Sequence, residues 1–194
     1  RQGSPGIRLQ TFCEETFEFR VLVDAFATYN YVELPEQPTI AIIPGPPTLF
    51  KAILPTERSL GTAFALCMKG EDHWGNPSDL CDQTFKVVAN MTVAGLPDAI
   101  TFAKGAFAAI ADDLRMQTTG DLIIELVDGE GGTVARSNPC RFSENAALLP
   151  YWGDLHGQSE ETIGTNSARE FYEFARDKAF LDICVHQGND FQIS

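Results

Sequence analysis

The sequence predicts a mainly β chain: an antiparallel β-sandwich over residues 1–147, followed by an incomplete α/β fragment over residues 148–194. Three observations lead there. Short runs alternating apolar and polar residues recur through the first part, separated by clusters of Gly, Pro, Asn and Asp. Near Pro150 the pattern changes to strand, loop, capped helix and strand, the order of a βαβ unit in a parallel sheet. Hydrophobic residues make up 44% of the 194, against 21% charged, enough to bury a real core.

The elements follow in order. Phe17-Glu-Phe-Arg-Val-Leu-Val23 alternates, setting Phe17, Phe19, Val21 and Val23 on one face of a strand. Thr39–Ile43 is a short apolar run, which Pro44-Gly-Pro-Pro47 ends. In Thr62–Met68, Phe64, Leu66 and Met68 point inward. Glu71-Asp-His-Trp-Gly-Asn-Pro77 is dense in turn formers. Strands are expected over Thr84–Ala89, Asp98–Phe102, Ala106–Ala111 and Asp121–Val127. The alanines of Ala103–Leu114 also allow a helical turn. Asp128–Gly132 reads as a hairpin turn and Thr133–Arg136 as the returning strand. Beyond Pro150, Ser167-Ala-Arg-Glu170 is a capping box, and apolar residues at helical spacing predict a helix over Ala168–Lys178. Phe180–Val185 reads as the next strand.

A net charge of -13 repels duplex DNA and anionic membranes, so neither nucleic acid nor membrane is expected as a partner. No apolar run approaches the roughly 18 residues that span a bilayer. The five cysteines are scattered without a C-x-x-C pair. They read as free thiols of a reducing compartment, the cytoplasm, although Cys67 and Cys81 flank a turn-rich stretch and are candidates to pair under oxidising conditions. The chain begins at Arg1, without Met or an apolar leader, and is expected to be an excised or processed piece.

Two clusters carry candidate chemistry. In Asp154-Leu-His156-Gly-Gln158, alternation along an extended segment sets Asp154, His156 and Gln158 on one side. A carboxylate, an imidazole and an amide oxygen can share a divalent cation. His186-Gln-Gly-Asn189-Asp190 closes the next strand, where neighbouring parallel strands end side by side. Asn189 and Asp190 add oxygen donors. A surface turn explains either cluster by itself. His73 sits in a turn, and Trp74 is expected to cover one end of the sandwich. No Gly-x-Ser-x-Gly elbow, phosphate-binding glycine loop or zinc-finger spacing is present.

Trp152-Gly-Asp-Leu-His-Gly-Gln-Ser159 resembles the opening motif of the polymerase and histidinol phosphatase (PHP) superfamily, in a branch with aromatic-Gly-Asp-Leu-His after a β-rich region. About 45 residues carry the resemblance: the motif, the helix, and a strand ending at His186. It implies an irregular β/α barrel whose metal ions (Zn, Mn or Mg) activate water against a small phosphate ester. On that reading His156, Gln158, His186 and Asn189 are candidate metal ligands, and Asp154 and Asp190 candidate catalytic carboxylates. Gln158 replaces the motif's second histidine, and Val185-His186 replaces Asp-His. Later strands supply further ligands in the superfamily. This chain is therefore expected to be inactive alone and to expose strand edges through which copies can associate. Asp72-His-Trp-Gly-Asn-Pro and Ala135-Arg-Ser-Asn-Pro139 resemble immunoglobulin-like modules. The alternative function is a non-catalytic module binding a glycan or a protein, with Trp74 and Tyr31 as candidates for an exposed aromatic platform.

Overall fold

Sixteen strands and one helix occupy residues 6–188, the part of the chain that the computed structural model describes. The fold is mainly β, with mostly antiparallel sheets. It divides into two compact units, Arg1–Pro44 and Gly45–Ser194.

The first unit holds β1 (Glu14–Glu18), β2 (Leu22–Val23), β3 (Val32–Glu33) and β4 (Thr39–Ile42). β1 pairs antiparallel with β4, and β2 with β3. The single strand expected over Phe17–Val23 is interrupted, because the Gln37 side chain takes the Val21 amide (2.7 Å). The β2–β3 loop is organised by Asp24, whose carboxylate accepts the amides of Phe26 (3.3 Å), Thr28 (3.0 Å) and Tyr29 (2.7 Å). Within it Ala27 and Tyr29 take positive φ, 51° and 64°. Such backbone is strained for non-glycine residues and needs local bonds to hold it.

The second unit continues with β5 (Leu49–Ile53), β6 (Glu57–Ser59), β7 (Phe64–Glu71), β8 (Thr84–Ala89), β9 (Ala99–Thr101) and β10 (Ala108–Leu114). Then come β11 (Gly120–Leu122), β12 (Ile124–Val127), β13 (Thr133–Arg136), β14 (Cys140–Ser143) and β15 (Gly153–Gly157). Last are α1 (Ala168–Asp177) and β16 (Ile183–His186). Two antiparallel sheets, β10-β7-β5 and β13-β12-β8-β9, contribute to one core. As the alternation predicts, Phe64, Leu66 and Met68 of β7 are buried in it. Phe50 of β5 meets Phe85 of β8 edge to face at 4.7 Å. Each such side chain contributes about 1.5–3 kcal/mol by leaving water. A third sheet, β11-β14-β6, includes one parallel pair, β14 with β6.

Residues 103–114 form no helix. Gly105 turns the chain at φ +80°, and Ala108–Leu114 pairs with β7. The run Asp121–Val127 is divided at Ile123, where Asn90 intervenes. Its Oδ1 accepts the Ile123 amide (2.8 Å) while its own amide donates to the Ile123 carbonyl (3.1 Å). β11 therefore joins β14, and β12 joins β8. The turn after β7 closes around Asp72, which is 4% exposed and accepts the amides of Gly45 (3.2 Å), Trp74 (2.8 Å) and Asn76 (3.0 Å) and the Asn76 side-chain amide (2.9 Å). Burial pushes its carboxyl up, but these bonds outweigh that and hold it below the ordinary carboxylate range. Trp74 does not cover the sandwich. It is 57% exposed and meets His73 edge to face.

The expected boundary at 147/148 falls inside the second unit, where the βαβ segment is tied to the preceding strands. The Trp152 indole donates to the Leu54 carbonyl (3.3 Å), and the Lys178 ammonium lies 3.9 Å from the Phe107 ring centre. All five cysteines are free thiols. Burial, with the Asp182 carboxylate nearby, pushes Cys67 up to about 11. Among the described residues no helix is long and apolar enough to cross a membrane.

Candidate functional site

The helix sets up the site. Ser167 accepts the Glu170 amide (3.3 Å), and Glu170 accepts the Ser167 amide (2.8 Å) and hydroxyl (2.6 Å). The Ser167 hydroxyl bond and then its amide hold the Glu170 carboxyl below its ordinary value. α1 thus starts where the capping box predicts and ends with Lys178 and Ala179 donating to the Phe174 carbonyl, both at 2.9 Å. Phe180, at φ 56°, turns the chain into β16.

β15 and β16 pair in parallel, with Gly153 opposite Ile183, Asp154 opposite Cys184 and Gly157 opposite His186. The register is irregular between Asp154 and Gly157. A glycine is required at 157, since a Cβ there would lie 1.9 Å from Phe171 Cζ. Phe171 belongs to α1, so the helix reaches the strand through the space a side chain would fill. The loop after β15 is equally tight: Thr162 and Gly164 both donate to the Ser159 carbonyl, at 2.9 and 2.8 Å.

Four of the predicted site residues lie in the described part of the chain. Asp154 is exposed, and its Oδ1 accepts the His156 amide (2.8 Å), so the carboxylate braces its own strand. His156 is exposed. Gln158 Oε1 accepts the Thr162 hydroxyl (2.6 Å). His186 is half-buried, with Nε2 2.8 Å from Ser159 Oγ and its ring 6.1 and 6.5 Å from those of Phe171 and Tyr172. Its register partner is Gly157, not His156, and side chains of adjacent residues in a strand leave on opposite faces. Asn189 and Asp190 lie outside the described residues.

The described ones among these residues do not form a complete metal centre. Among the described residues no three His, Cys, Asp or Glu side chains gather as a metal ion requires. Asp154 and Gln158 are engaged within their own segment. A separate groove of about 520 Å³ opens beside α1 and β16, bordered by Arg169, Tyr172, Arg176, Asp182 and Cys184. Burial and then the Asp154 carboxylate raise the Cys184 thiol above its ordinary value. Neither histidine borders this groove.

Ser159, Thr162 and Phe171 position the predicted residues, although sequence reasoning did not single them out. The signal for Ser159 was its place in the Gly-Gln-Ser motif. For Phe171 it was the helical spacing that turns it toward the strands.

No protein-family model matches the chain, and no curated protein matches it.

Proposed function

We propose that residues 148–194 open a metal-dependent hydrolase domain of PHP type, acting on a small phosphate ester, behind an immunoglobulin-like sandwich. The observation that carries the reading is the parallel β15–α1–β16 unit. Its two strands end level, Gly157 beside His186, and an Asp-Leu-His sequence lies on the first. Parallel α/β sheets place their chemistry at this end of the strands. The chain's own residues do the positioning: Asp154 fixes the β15 backbone at His156, Ser159 holds His186, and α1 packs on Gly157. His156 is then the side chain left open to a cation.

The test is metal binding. The chain, purified without chelators and titrated with Zn or Mn, is expected to bind the ion weakly at His156, and His156→Ala to lose that binding. A protein that takes up neither ion would overturn the reading.

A second role, binding a glycan or protein, is favoured by the β2–β3 loop, on which Phe26 and Tyr29 are 87% and 89% exposed. Aromatic rings held this way offer large contact area at little entropic cost.

A further inference from the structure

Ser159 is wholly buried, at 0% exposure, although it carries a hydroxyl. Its Oγ accepts the Glu161 amide (3.2 Å) and stands 2.8 Å from His186 Nε2. A hydroxyl has one hydrogen to donate and two lone pairs. Among the described residues, the imidazole nitrogen is the acceptor within hydrogen-bond reach of that hydrogen. Nε2 must then offer its lone pair, which leaves the ring proton on Nδ1. Ring protons are assigned from the surrounding network in this way.

We infer that Ser159 is a positioning residue that holds His186 as the Nδ1–H tautomer, so that the ring presents an N–H donor at Nδ1 instead of a lone pair that ligates a metal. The opposite state is disfavoured by the same bonds. A metal on Nδ1 would move the proton to Nε2, and Nε2–H would need Oγ as its acceptor. Oγ already accepts from Glu161, and its own hydrogen would be left buried without a partner. A metal on Nε2 would have to displace the serine. Phe171 and Tyr172 stand beside the ring, at 6.1 and 6.5 Å between ring centres. This differs from the role that the PHP resemblance gives His186. The contrast with a metal ligand rests on reading the segment as a hydrolase opening, whereas the tautomer does not.

Long-range nitrogen–proton NMR of the histidine rings in the whole chain tests both parts. His186 is expected to show a protonated Nδ1 and a lone-pair Nε2, and Ser159→Ala to shift it toward the Nε2–H form that free imidazole prefers. Addition of Zn is expected to move the His156 signals and leave those of His186 in place. An Nε2–H ring in the wild type, a spectrum unchanged by Ser159→Ala, or His186 signals that follow Zn would each overturn the inference. If neither histidine responds to Zn and His186 stays Nδ1–H, the hydrolase reading fails while the tautomer assignment is supported.

Discussion

The two units hold their strands by different means. Among residues 6–44 no side chain is buried, and the strands are held by polar bonds at particular points: Asp24 within its loop, Gln37 bracketing Val21, Arg20 paired with Glu33. From Gly45 onward strands close over Leu66, Met68, Leu122, Ile124 and Leu126, all at 0% exposure. A carboxylate that caps several amides can shape a loop without a core. It cannot supply the cooperativity of a core, which comes from many side chains leaving water together.

The largest expected effect lies in the core. Leu66→Ala removes a fully buried side chain from β7 and should cost about 3 kcal/mol, read as a lower denaturant midpoint. A loss below about 1 kcal/mol would mean that the core is looser than its burial indicates. Next is Asp72→Asn, which keeps the shape but removes a buried charge accepting several amides. About 2 kcal/mol is expected at neutral pH. The sign with pH follows from the lowered carboxyl of Asp72. Its contribution is complete above the unfolded value, near 3.9, and is lost as pH falls through the lower folded value. The gap between wild type and variant, followed by urea titration, should therefore narrow below about pH 4. A gap constant down to pH 2 would remove the charge from the explanation. The smallest global effect belongs to Asp24→Ala in the first unit. Proteolysis between residues 24 and 31 should accelerate while the main melting transition stays in place. Movement of that transition would break the contrast between the units.

The sequence made some of this legible and hid the rest for identifiable reasons. β7 showed itself because one face is buried and the other is not, so its side chains alternate. The helix was legible from Ser167 and Glu170 because a capping box is a local device. β5 escaped notice because Leu-Phe-Lys-Ala-Ile lacks clean alternation and lies between prolines. The break at Ile123 depends on Asn90, far away in sequence, and no periodicity reports it. The β15–α1–β16 order at the candidate site was readable as a change of period. The bonding of His186 was not, because its partner Ser159 is a neighbour through folding, 27 residues earlier in the chain.

The division at Ile123 also bears on how the second unit opens. β11 and β12 are one stretch of backbone stitched into two different sheets, with the Asn90 side chain as the stitch. Neither sheet can peel away without dragging the other by its covalent continuation. Amide hydrogens on both sides of the join, at Leu122 and Ile124, are therefore expected to exchange with deuterium at similar rates, and Asn90→Ala to separate them. A single asparagine marks the point where one stretch of backbone passes from one sheet to the other.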